Sequence, residues 1–434
     1  MSGFTIRPTH AISRRPTADR STSGPGIFQP HPQFKKRQTM HLKSTLGALA
    51  AALLVLPAAS FAADATPLII GAALAQTGPA SSLADGEVKA INMYVKEVNA
   101  KGGIAGHPLK VTILDTATDP QKAVLNVRKL ITETKVAAIV CCTTTPESMA
   151  ILDTVQRAKV PNISLASAMT VTEPVADRYW VFKTPPTDTT MIGVEVKDME
   201  KLGIKTVGYL GFDTSLGKVG FEELKKAVVP ANITIVGDEQ FSPTDTNVSA
   251  QATKLVNAKP DAIFINGNPP GANLAQKAVQ AAGYKGTIYQ SYGVTNATFL
   301  RLGGDSLNGT RISVPPVIVY DQLPPALPFK EVTETFAKNY MAANNGEKPS
   351  SFAGFAYDAI RVVSTAADRA LTNDKVQPTD LDAFRAAIRD NIEHLDSFQS
   401  ATGTYNFSAK DHVGIGPSSI SMVTVENGGY QLAK

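Results

Sequence analysis

Three consecutive threonines, Thr143, Thr144 and Thr145, stand directly before Pro146-Glu147, where a cap-and-proline pattern predicts a helix running through Arg157. Free backbone N–H groups and the positive end of a helix make such a place an anion site, worth about 0.3–2 kcal/mol from the dipole alone. Thr145 is also the expected cap of that helix. Two more positions could do chemistry in loops of the same kind. Tyr292 can donate a hydrogen bond to a hydroxyl or carbonyl, and Asp213 is an acid whose ordinary job is to cap the helix that follows. The only cysteines, Cys141 and Cys142, are neighbours and are expected as buried free thiols at a strand end. After residue 62 only His107, His394 and His412 remain, far apart, so no metal centre is expected. No G-x-G-x-x-G follows a strand, and no G-x-S-x-G, H-E-x-x-H or P-loop occurs. These residue types imply binding without catalysis and without a cofactor.

The elements that must position these residues alternate. Leu68–Ala73 is a short apolar run, Gln76-Thr77-Gly78-Pro79 a turn-rich loop, and Val88, Ile91, Val95 and Val98 then share one helical face until Gly102-Gly103. Ser82 with Asp85 resembles a capping box at the start of that helix. A strand follows over Leu109–Asp115, giving a βαβ unit whose loops after each strand lie at the ligand-facing edge of a parallel sheet. Asp119-Pro120 starts a helix to Thr134. Strands follow at Ala137–Cys142 and Pro161–Ala166, and Tyr179–Lys183 ends in the stiff link Thr184-Pro185-Pro186. The same grammar restarts with a helix over Met191–Leu202. Strands at Thr206–Phe212, Ile233–Asp238, Ala262–Asn266 and Thr287–Gln290 then alternate with helices. Five prolines between Val314 and Phe329 mark a return, the helices Glu331–Ala343 and Phe352–Leu371 go back to the first half, and Gly403–Leu432 reads as hairpin strands.

Composition agrees with two such halves. The 434 residues, 43% hydrophobic and 18% charged, suffice for two domains with proper cores. The net charge of +4 is concentrated at the front: residues 1–39 hold seven basic side chains against Asp19, and beyond Ala62 the chain carries 34 basic and 37 acidic ones. The basic balance therefore does not indicate nucleic acid. Residues 1–39, rich in Pro, Ser and Thr without periodicity, read as a disordered segment, with translation expected to begin at Met40. Residues 40–62, with Lys43, an apolar core Leu46–Leu56 and Ser60-x-Ala62 at the end, read as a secretory signal peptide.

The opening stretch, with TGP before a small-residue loop, then EVNAKGGIAGHPLKV and D-x-x-x-DPQKAV, resembles the start of periplasmic branched-chain amino-acid-type binding proteins, the receptors of ABC importers. The likeness extends over the chain after Ala65. It implies an α/β fold of two doubly wound lobes with parallel sheets, joined by three hinge crossings: residues 66–184 and 318–402 in one lobe, 187–314 and 403–434 in the other. It also implies a monomer in the periplasm that meets an inner-membrane permease and closes by a hinge on a small ligand. A sensory receptor reporting to a membrane signalling partner is the alternative within the same fold.

In that family the threonine loop and the Ser-Ala-x-Thr stretch, here Ser167, Ala168 and Thr170, hold the ligand carboxylate. The other loops that would line the cleft contribute Gln76, Ser82, Leu83, Asp213, Leu216, Asn266 and Tyr292. The family disulfide falls on Thr118 and Thr144 and so is missing. Leu83 stands where amino-acid binders carry an aromatic residue, Leu216 where they have Tyr, and Tyr292 where an acid usually faces the ammonium. A buried ammonium without its counter-charge costs several kcal/mol. The reading that follows is a small carboxylic acid, aromatic or aliphatic, without an α-amino group; an amino-acid or amide ligand is the alternative.

Overall fold

The computed structural model describes residues 66–433. The segment 1–39, the expected start at Met40 and the signal peptide 40–62 lie outside them. In the first lobe β1 (Leu68–Leu74), β2 (Leu109–Asp115), β3 (Ala138–Cys141), β4 (Asn162–Ser164) and β5 (Val181–Lys183) form one parallel sheet in the order β2-β1-β3-β4-β5. Helices α1 (Ser81–Ala100), α2 (Pro120–Thr132) and α3 (Thr145–Ala158) make the crossovers. Asp119 caps α2, its carboxylate accepting from the Gln121 and Lys122 amides, and Ala123, Val127 and Leu130 recur on the buried face. Because α2 and α3 cover one side of the sheet and α1 the other, β3 is buried throughout and purely apolar.

The second lobe repeats the plan. α4 (Asp188–Lys201) leads into β6 (Thr206–Phe212), α5 (Ser215–Val228), β7 (Thr234–Phe241), α6 (Ser249–Asn257), β8 (Ala262–Asn266), α7 (Gly271–Ala281), β9 (Thr287–Gln290), α8 (Ala297–Gly303) and β10 (Arg311–Val314). Then α9 (Lys330–Ala343), α10 (Ser351–Thr372) and α11 (Leu381–Glu393) return to the first lobe, where α10 packs against α1, Tyr357 meeting Tyr94 edge-on and Ala353 lying against Gly86. The short pair β11 (Phe398–Ser400) and β12 (Gly403–Tyr405) follows. Finally β13 (Ser421–Glu426) and β14 (Gly429–Leu432) add antiparallel strands to the second sheet, order β14-β13-β10-β9-β8-β6-β7.

Several local expectations change. Ser82 does not cap α1: the cap position is Ala80, and the Gly78-Pro79 turn sets the helix start, with the Ser81 amide donating to the Gly78 carbonyl at 3.1 Å. The last crossing is not at Gly403. Tyr405, Phe407, Val413 and Ile415 belong to the first-lobe core, so the chain crosses between Gly416 and Ile420. Hairpin alternation alone could not say which sheet those residues join. Cys141 and Cys142 are not free thiols but a disulfide, across a cis peptide with Cα atoms 3.0 Å apart. The free-thiol expectation rests on the strain that bridging two neighbouring residues brings.

The first crossing and the β11–β12 pair are tied together by one buried carboxylate. Asp358 on α10 accepts from the Ala401 amide at 2.8 Å, the Thr402 amide at 3.0 Å and the Ser400 and Thr402 hydroxyls. The Tyr405 hydroxyl stands 3.1 Å from Asp358 and 2.9 Å from the Thr184 carbonyl in the first crossing. Replacing Asp358 by Ala strips two buried amides of their acceptor. The expected result in urea unfolding is a loss of about 3 kcal/mol or more, following the cost of leaving donors to a charged acceptor unpaired. A change below about 0.5 kcal/mol would show that the network does not hold the first crossing.

Candidate ligand-binding site

The strand ends of both sheets face each other across a narrow cavity of about 30 Å³. The first lobe supplies Leu83, the three threonines, Ser167 and Phe352. From the second come Asp188, Leu216, Asn266, Asn268 and the loop Ser291–Gly293. Thr145 and Tyr292, on different lobes, therefore line the same crevice. Tyr292 also stacks on Phe352, with ring centroids 5.9 Å apart, and meets Phe355 edge-on. Gly293 leaves room beside it, since a Cβ there would lie 2.2 Å from Asn268 Oδ1 and 3.0 Å from the Gly267 carbonyl oxygen.

The three threonine hydroxyls have different duties. Thr143 accepts from the Ala75 amide at 3.1 Å and donates to Glu87 Oε2 at 2.6 Å, while Thr144 turns its hydroxyl to Glu147. Thr144, not Thr145, is the N-cap residue of α3. Thr145 is the first helical residue, and its buried hydroxyl has no protein partner. Two buried acids behind this loop would repel an anion if ionised. Burial pushes Glu87 up to about 8, against the Thr143 hydrogen bond, and burial also raises Glu147. At neutral pH Glu87 is thus held as the acid, and the loop keeps its preference for anions.

Across the cavity two acceptors stand without partners, Asp188 Oδ2 and Asn266 Oδ1. The orientation of Asn266 follows from its neighbour. Tyr209 donates its proton to the Gly217 carbonyl at 2.6 Å, so its oxygen must accept from Asn266 Nδ2 at 3.0 Å, and Oδ1 is the atom left over. Asp188 begins α4, straight after the first crossing. Burial raises its carboxyl above the ordinary range, opposed by the attraction of Lys183 and by hydrogen bonding from Ser167. Lys183 is itself buried, and its ammonium donates to the Ser167 and Pro186 carbonyls.

The sequence profile of the periplasmic binding protein family matches residues 67–429. The chain belongs to that family. Among curated relatives it is 24% identical over 369 residues to the leucine-, isoleucine-, valine-, threonine- and alanine-binding protein of Pseudomonas aeruginosa, covering 84% of this chain and 92% of that protein. An extracellular ligand-binding receptor from Rhodopseudomonas palustris is 33% identical with a TM-score of 0.80, covering 85% of this chain and all of that one. The substrate-binding protein LivJ of Streptococcus pneumoniae, solved with isoleucine, is 24% identical with a TM-score of 0.73 over 85% of this chain and 99% of that one, a likeness of fold. This periplasmic binding protein is therefore a non-enzymatic solute-binding protein of the ABC transporter type.

Of the residues expected at its site, Leu83, Thr143, Thr144, Thr145, Ser167, Leu216, Asn266 and Tyr292 line the cavity. Gln76 and Asp213 do not; both are exposed, and the helix after Asp213 takes Thr214 as its N-cap residue. Ser82, Ala168 and Thr170 also lie off the cavity wall. The expectation that the cleft lacks an acid does not hold, since Asp188 lines it. The sequence carried a usable signal: an acid in the first turn of a helix directly after a Pro-Pro crossing must sit at the junction of the lobes. Tyr209→Phe tests how this binding protein positions Asn266. It should lower stability by about 1–3 kcal/mol in urea melts, leave the fold intact by circular dichroism, and weaken ligand binding several-fold. Unaltered binding would mean that Asn266 needs no second anchor.

Proposed function

We propose that this solute-binding protein captures an α-amino acid and presents it to an ABC permease. The ligand carboxylate goes to the N-terminal end of α3 beside the free Thr145 hydroxyl. Its ammonium goes between Asp188 and Asn266. The observation that carries this reading is the pair of buried acceptors, Asp188 Oδ2 and Asn266 Oδ1, that no protein donor satisfies. Buried polar atoms are almost always paired, and an ammonium with three N–H groups answers both. Relatives described as leucine-, isoleucine- and valine-binding proteins support the same class. Closure of the second lobe over a ligand docked on the first fits a cavity walled by both.

A second reading, an aromatic or aliphatic acid without an amino group, is favoured by two observations. Tyr292 occupies the last second-lobe loop, and Lys183 already offsets the charge of Asp188. Calorimetry with L-leucine and L-phenylalanine against 4-methylpentanoate and 3-phenylpropanoate separates the two. The amino acids should bind at least tenfold more tightly, and Asp188→Asn should weaken them by about 10–100-fold, the worth of a charge-assisted hydrogen bond. Equal or tighter binding of the deaminated acids would reverse the assignment.

The pH dependence gives an independent check. An ammonium binds the ionised form of Asp188, and protonation competes with it. Affinity for an amino acid should therefore be complete above the raised pKa of Asp188 and fall as the pH drops through it, from about pH 7 to about pH 5. A plain acid should show no such loss over that interval, because a protonated Asp188 repels it less. Titrations at several pH values will distinguish the two slopes.

A further inference from the structure

A second cavity, about 310 Å³, adjoins the polar one and shares Thr144, Leu216 and Asn268 with it. Both lobes wall it, and none of its lining residues is charged. Six of them are prolines, three of them at helix starts. Pro120 opens α2, Pro146 is the second residue of α3 and Pro270 holds the cap position of α7. A helix start normally offers free amides to an anion, but proline has no N–H to give. Phe212, braced edge-on by Phe241 at 5.0 Å between centroids, forms part of the opposite wall. The outer chamber is thus apolar and stiff, whereas the inner cavity is rimmed by hydroxyls, amides and Asp188.

We infer that the ligand is amphipathic and spans both cavities, with its polar head inside and a bulky apolar group, an aromatic ring or branched hydrocarbon, in the proline-walled outer chamber. This rests on the head-group reading above for the orientation of the ligand, but the chamber has its own evidence. Its continuity with the polar cavity makes the ligand's own body the occupant, because any other apolar guest would have to block the route to the inner site. Burying such a group gains about 25 cal/mol for each Å² removed from water, so affinity must climb with the size of the substituent. A head group alone would leave the chamber to water.

Two measurements on the full secreted protein test this. Calorimetry with L-leucine, L-phenylalanine and L-4-phenylphenylalanine, each paired with its deaminated acid, should show a rise of tenfold or more from leucine to the aromatic members. The variant Thr244→Trp places a large side chain at an exposed position on the chamber wall. It should abolish that rise, with melting temperature as the control for folding. Affinity that is flat or falls with size in the wild type overturns the proposal, whatever the variant does. So does a variant that folds and keeps the full rise from leucine to the aromatic members. A size dependence confined to neither series, with acids and amino acids binding alike, sustains the chamber but refutes the ammonium; tight amino-acid binding without size dependence does the opposite. Failure of every member to bind overturns both.

Discussion

Two opposite charges buried at the first crossing govern the layout of this cleft. Lys183 ends β5 and Asp188 begins α4, with only Thr184–Thr187 between them. Burial works against both charges, lowering the lysine and raising the aspartate, and each moderates the shift of the other. The ammonium of Lys183 is spent on the Ser167 and Pro186 carbonyls, which fixes the end of the first lobe and the link that leaves it. Asp188 keeps one oxygen free at the edge of the cavity. The crossing therefore carries a charge that belongs to the binding chemistry as well as to the hinge.

The same economy of partners runs through the site. Thr143 and Thr144 are held by Glu87 and Glu147, which leaves Thr145 as the hydroxyl without a protein partner. Tyr209 fixes the amide face of Asn266 and so decides which of its atoms is available. In each case a residue behind the wall consumes one hydrogen-bonding capacity and thereby selects the group that meets the ligand. The walls are positioned by packing: β3 and β8 are buried throughout, so the loops at their ends move only with the lobes that carry them.

Tyr292 links binding to closure. It comes from a second-lobe loop, yet its ring lies in the first-lobe core against Phe352 and Phe355 on α10. Thr295, three residues on, donates to the Ser351 hydroxyl at 2.6 Å. These contacts form only when the lobes are together. They contribute to the closed arrangement without any ligand atom, which sets how much of the closure a ligand must drive.

By itself the sequence determined the alternation of strands and helices, the two lobes, the first crossing at Thr184–Pro186 and the placement of the threonine loop at a helix start. These follow from local chemistry: apolar runs of strand length, an Asp-Pro or Thr-Pro at a helix start, and right-handed crossovers that send every such loop to one edge. Tertiary structure alone decided that Tyr405 to Ile415 pack in the first lobe, that Thr144 and not Thr145 holds the cap position, and that Cys141 and Cys142 are joined. It also decided that Asp188 faces the cavity. An aspartate at a helix start is locally indistinguishable from a cap or a first-turn acid. Only the approach of the other lobe, which removes its water and leaves one oxygen unpaired, makes it a partner for a cation.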